Sequence, residues 1–285
     1  MNVRQPRISR RSVTIAAALV GVVSLALGAH AALNKRSLDT ARAVAAEPNG
    51  AAPNASRIAL VIGNGHYPDA NAPLAQPIND ARALTAQLRR TGFDVDVVED
   101  ASRDDMQRAI GRLKSRIKPD SVVMLFFGGY GVQVGRESYM IPVDAAIWKE
   151  TDVRRQGVSI ESVLDAMKQQ GARAKLVVID ASRRNPYERR FRAYSHGLAP
   201  IDAPDNALIL TSATPGQVAD DSRGANSVLM SELLANLNAQ GAGVETAFNK
   251  TRIAVTRASD GEQVPAVTSS LLEDVSFAGG EKAGS

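Results

Sequence analysis

A serine follows an apolar run that closes on an aspartate, Val177-Val178-Ile179-Asp180-Ala181-Ser182. A hydroxyl at the end of a buried strand could act as a nucleophile, but only with an adjacent base. Its flanks, Asp180-Ala181 and Arg183-Arg184, are not the G-x-S-x-G turn of a nucleophile elbow. Beyond the N-terminal segment the histidines are His66 and His196, both in stretches that read as loops. A second candidate is Gly129-Tyr130-Gly131 with Gly135, after another apolar run. Its spacing invites a dinucleotide reading, which fails on context. That fingerprint needs a helix opening at the glycines, whereas Val132-Gln133-Val134 and Tyr139-Met140-Ile141-Pro142 read as extended. Gly63-Asn64-Gly65 lacks the remaining glycine as well. Thiol chemistry is excluded outright. The chain has no cysteine, hence no disulfide, no thiolate metal site and no thiol nucleophile.

Strands and helices must position these residues. Ile58–Ile62, Val122–Phe127, Lys175–Asp180 and Ala207–Thr211 are short, nearly continuous apolar runs, the texture of strands buried on both faces. Phe93–Val98 alternates like a strand. Between the runs, Asn79–Arg90, Arg103–Ile117, Ser159–Gln170, Val228–Leu237 and Val244–Thr256 carry apolar residues at helical spacing. Ser159 and Ser162 suit the start of their helix, and Val132–Pro142 reads as a hairpin around Gly135. Alternating strands and helices imply an α/β fold with a mostly parallel sheet and right-handed crossovers. In such sheets functional groups gather at the carboxyl ends of the strands. Those ends are Gly63–Pro68, Gly128–Gly131, Asp180–Asn185 and Thr211–Gly216.

The basic character of the chain is local. Lys and Arg number 34 against 30 acids, and residues 1–31 hold Arg4, Arg7, Arg10 and Arg11 with no acid. The remainder is balanced, so the charge gives no argument for nucleic-acid binding. After these arginines comes the apolar stretch Val13–Gly28 and then Ala29-His30-Ala31, the layout of a secretory signal with an A-x-A cleavage site. Arg10-Arg11 also resembles a twin-arginine signal. An uncleaved inner-membrane anchor is the alternative, since roughly 17 residues is the lower limit for a span. Either way the folded part faces the periplasmic side. Residues 1–31 are thus a signal or anchor, 32–56 a flexible linker rich in Ala, Pro, Asn and Gly, 57–278 the folded domain and 279–285 a disordered tail.

Four ordered stretches resemble the bacterial caspase-like peptidases of the metacaspase and orthocaspase type. They are Arg57–Asn64, Pro77-Ile78-Asn79-Asp80-Ala81, Phe126–Gln133 and Leu176–Pro186. The resemblance continues through Ala219-Asp220-Asp221, Gly224-Ala225-Asn226-Ser227, Gln263-Val264-Pro265 and Ser269-Ser270-Leu271, to about Phe277. It implies a caspase-type three-layer sandwich with a central, mostly parallel six-stranded sheet. It also implies that the family's catalytic histidine and cysteine fall at Tyr130 and Ser182. Tyrosine, with a pKa of about 10, is a poor base at neutral pH, and serine is a far weaker acid than a thiol. A Tyr130–Ser182 hydrogen bond filling the old dyad is expected. Asp80 and Asp180 match acidic residues that form a pocket for a basic substrate side chain. Residue by residue, the plainer roles are a helix cap for Asp80 and a turn anchor for Asp180. Glu188–Arg192 falls where the family carries self-cleavage sites, and a single uncut chain is expected. The implied function is a non-catalytic binding or regulatory module for peptides or proteins with exposed Arg or Lys. The alternatives are a Ser182-dependent hydrolase of basic peptides or esters, and a structural partner of an active caspase-like homologue. No cofactor is implied beyond an open question of calcium, no nucleic acid is bound, and the membrane is met only through the N-terminal segment.

Overall fold

A computed structural model describes residues 56–69, 73–191, 196–219, 224–238 and 243–277. The signal or anchor, nearly all of the linker, Asp220-Asp221 and the tail lie outside the described residues. Five strands lie parallel: β1 (Arg57–Gly63), β2 (Asp94–Glu99), β3 (Val122–Gly128), β7 (Ala174–Asp180) and β8 (Ala207–Thr211). A sixth, β9 (Ala266–Ser269), runs antiparallel against β8. The sheet order is β2-β1-β3-β7-β8-β9.

The unbroken apolar runs are explained by burial on both faces. Side chains alternate across a strand. Ala59 and Val61, Met124 and Phe126, Leu176 and Val178, and Leu208 and Leu210 join one core. Helices α1 (Pro77–Arg90), α5 (Val228–Leu237) and α6 (Val244–Ala258) pack on it through Leu84, Leu88, Leu233 and Phe248. Leu60 and Ile62, Leu125 and Phe127, and Val177 and Ile179 point to the other core, with α2 (Arg103–Arg116) and α4 (Ile160–Gln169). The result is three layers with helices on both faces.

The edge strand β2 is protected by charge, which discourages pairing with another sheet. Asp94 and Asp96 pair with Arg116 and Arg112 of α2, and Glu99 with Arg82 of α1. Helix starts are set by serines. Ser102, Ser159 and Ser227 accept backbone N–H groups of Asp105, Ser162 and Met230. The hairpin is real, formed by β4 (Gly131–Val134) and β5 (Glu137–Met140), with Gly135 at φ +67° in its turn. Four elements go beyond the sequence expectation: α3 (Glu150–Gln156), β6 (Val158–Ser159), which adds a third strand to the hairpin, a short 3-10 helix (Glu188–Arg190), and β9. The helix α1 also begins at Pro77, ahead of Asn79, because proline at a first helical position needs no N–H partner. Tyr67, Tyr130, Tyr139, Ile147 and Tyr187 form a third, smaller core around the hairpin sheet.

Candidate active site

The carboxyl ends of β3 and β7 lie side by side, with Gly128 paired to Asp180. Beyond the sheet the loops stay joined. Gly129 N donates to Asp180 O at 3.2 Å, and Gly131 N to Ala181 O at 3.0 Å. This places Tyr130 and Ser182 on adjoining loops. The following glycine is required by space: a Cβ on Gly131 would lie 2.6 Å from Leu198 Cδ2 and 2.8 Å from Ala181 O. The glycine spacing therefore reflects close approach of two chain segments and not a phosphate cradle.

Tyr130 is buried and packs edge-on against Tyr67, ring centres 4.9 Å apart. The Tyr67 hydroxyl accepts from Tyr130 N and donates to Ile141 O, both at 3.1 Å. Burial raises the Tyr130 pKa above that of ordinary tyrosine; the nearby Arg183 charge acts the other way and is the smaller effect. The phenol is therefore neutral at pH 7. Ser182 is equally buried. Its N–H donates to Ser212 Oγ at 3.2 Å, and its carbonyl accepts from Ala219 N at 2.6 Å. Its Oγ has no hydrogen-bond partner among the described residues. The expected Tyr130–Ser182 hydrogen bond is thus not formed. The reason is packing: the Tyr130 ring belongs to the aromatic core with Tyr67 and Tyr187, whereas Ala181, next to Ser182, packs into the core beneath α2 and α4.

Asp80 and Asp180 come within electrostatic reach of each other, both buried. Asp80 does not cap its own helix, since Gln76 is the N-cap and Asp80 sits inside the first turn. Its carboxylate reaches across to the start of α5 instead. Oδ1 accepts from Asn226 Nδ2 at 2.7 Å and from Ser227 N at 3.1 Å. Asn79 Nδ2 adds a bond to Ala225 O at 3.0 Å. Burial, and then the charge of Asp180, raise the Asp80 pKa to about 6. Asp180 Oδ1 stands 3.8 Å from Arg183 Nη2, too long for a good hydrogen bond, and Asp180 Oδ2 has no hydrogen-bond partner among the described residues.

His66 lies elsewhere, at the ends of β1 and β2. Its exposed ring places Nδ1 2.5 Å from Asp100 Oδ2, while Asp100 Oδ1 accepts from Gly65 N and His66 N. His196 is half-buried in the stretch leading to Leu198. Among the described residues no group of three or more histidines and acids could hold a metal ion. None of their helices is long and apolar enough to cross a membrane.

The family model for the peptidase C14 caspase domain matches residues 56–276. The chain belongs to the caspase-domain family. It is 26% identical over 134 residues to the human mucosa-associated lymphoid tissue lymphoma translocation protein 1. The mouse homologue gives the same identity over the same length. The match covers 46% of this chain and 16% of each relative.

Within this caspase domain, sequence reading singles out Tyr130, Ser182, Asp80 and Asp180, and the fold gathers all four at the ends of β3 and β7 and the first turn of α1. Sequence reading misses their supports. Tyr67 holds Tyr130, and Ser212 holds the Ser182 backbone. Gln263 Nε2 in turn donates to Ser212 O at 2.9 Å. The Asn226-Ser227 and Gln263-Val264-Pro265 stretches are visible as motifs, but their partners are remote in sequence.

Proposed function

We propose that this caspase-domain protein does not cleave peptides, and binds Arg or Lys side chains of peptides or proteins at the acidic site of Asp80 and Asp180. In this reading Tyr130 and Ser182 stand where an active member has its histidine and cysteine. The observation that carries it is the state of Ser182 Oγ: it is buried and hydrogen-bonds to no base among the described residues. The neighbouring phenol keeps its proton at neutral pH. A serine hydroxyl with nothing to take its proton is a poor nucleophile. The binding half is supported by Asp180 Oδ2. A buried carboxylate oxygen without a donor is costly, and a guanidinium or ammonium group is a strong donor for it. Export or membrane tethering through residues 1–31 belongs to the same proposal, with the folded part on the periplasmic side.

The test is an assay of the purified full chain with Arg and Lys esters and peptides, alongside a binding titration. The expected outcome is no turnover and saturable binding weakened at least about tenfold by Asp180→Asn. Turnover abolished by Ser182→Ala would establish a hydrolase instead. Binding indifferent to Asp180→Asn would remove the acidic site from the account.

A further inference from the structure

Trp148 is the single tryptophan of the chain, and it is 68% exposed. It is nevertheless held in place. Its backbone N–H donates to Asp152 Oδ2 at 3.2 Å, and the Arg190 guanidinium lies 4.8 Å from its ring centre. Arg190 is itself fixed on several sides. It donates to Asp69 Oδ2 at 2.8 Å and to Ile147 O at 2.6 Å, and stands 5.6 Å from the Tyr187 ring. An ordered arginine beside an exposed indole resembles the rigid anchors that dominate protein interfaces. The entropy of ordering them is already spent before a partner arrives.

The surroundings carry an excess of positive charge. Residues 183–192 contain five arginines and one acid, Glu188. Lys149 and Arg189, the neighbours of Trp148 and Arg190 in sequence, are exposed, as is Arg184. None of these three has an ion-pair partner among the described residues. The nearby acids are already engaged: Asp69 with Arg190 at 2.8 Å, and Asp152 with Arg155 at 2.9 Å. The other exposed large apolar residues among those described, Ile253 and Leu272, belong to α6 and to the segment after β9. A single apolar side chain is too little to insert into a bilayer, which needs an extended apolar face.

We propose that the rim formed by Trp148, Lys149, Arg189 and Arg190, with Arg184 on the same loop, docks an acidic segment of a partner protein. Carboxylates meet the free cations, and an apolar side chain stacks on the indole. This surface is separate from the acidic site of Asp80 and Asp180. A probe with no basic residue therefore tests it independently.

The probe is a short peptide of glutamate and phenylalanine, titrated into the full chain. Trp148 emission reports the contact directly, because no other tryptophan competes. Binding should shift that emission, weaken steeply with added salt, and fall at least about tenfold in the Lys149→Glu/Arg189→Glu double variant. Trp148→Ala, followed by peptide anisotropy, should weaken it as well. Unchanged thermal midpoints in both variants separate these losses from misfolding. Three results would overturn the proposal: no binding of the peptide, binding indifferent to the double variant, or binding of anionic phospholipid vesicles in its place.

Discussion

Ser182 and Asp180 each bury an oxygen that has no hydrogen-bond partner among the described residues. Leaving such a group unpaired typically costs about 1–3 kcal/mol. For Ser182 the cost brings no visible structural return, so Ser182→Ala should leave stability unchanged or slightly raised in a calorimetric melt. A loss of more than about 1 kcal/mol would mean that the hydroxyl has a bonded partner in solution. Burial of Asp80, and after it the charge of Asp180, make the Asp80 carboxyl hold its proton. With its pKa raised from 3.8 to about 6, folded Asp80 keeps a proton that the unfolded chain releases. Its contribution to stability is complete below pH 3.8 and is lost as pH rises through about 6. The size is on the order of 3 kcal/mol. Urea midpoints measured between about pH 4 and about pH 7 should fall for the native chain. Asp80→Asn should flatten that fall, and an equal slope in both proteins would contradict the assignment. Tyr130, Asp180 and Ser182 were legible because they lie at strand ends, whereas Asp80, inside a helix, was legible only through the family resemblance. Their bonding was not, because Asp80 meets Asn226 and Ser227 across some 146 residues.

Elements differ in how plainly they show themselves. Strands β1, β3, β7 and β8 were legible because both faces are buried, and α1, α2 and α4 because each shows one apolar stripe. The elements that escaped are short or half-exposed. β6 has two residues, α3 has seven, and β9 lies at the sheet edge with its last two residues exposed. Their place is decided by tertiary partners: Tyr139 and Met140 for β6, Leu208 to Thr211 for β9. The site depends most on the join between the β3 and β7 loops, and Gly131 is its tightest point. Gly131→Ala would drive a methyl group into Leu198 and the Ala181 carbonyl. The leucine can turn away but the carbonyl cannot, because it accepts the Gly131 N–H itself. The expected cost is about 1–3 kcal/mol, read from denaturant midpoints. A neutral result would show that the loops can separate without harm to the fold.

At the scale of the whole molecule, charge is partitioned. Four of the 34 basic side chains and none of the 30 acids lie in residues 1–31. The rest is balanced in sum but uneven in place, with the 183–192 loop strongly positive and Asp94, Asp96 and Glu99 set along the β2 edge of the sheet. A balanced domain gains no general affinity for polyanions, so any contact made by the arginine loop must be local. The proposed cleavage after Ala31 makes this partition measurable. The uncut chain, with a pI of about 9.5, should bind a cation exchanger at neutral pH and low salt. The processed chain should focus near neutrality, because removal of four arginines leaves no formal excess. Isoelectric focusing and intact mass on protein from the periplasmic fraction check the point together. A soluble periplasmic form that keeps the basic pI and full mass would rule out cleavage, and recovery of the full-length form from the membrane fraction alone would establish the anchor.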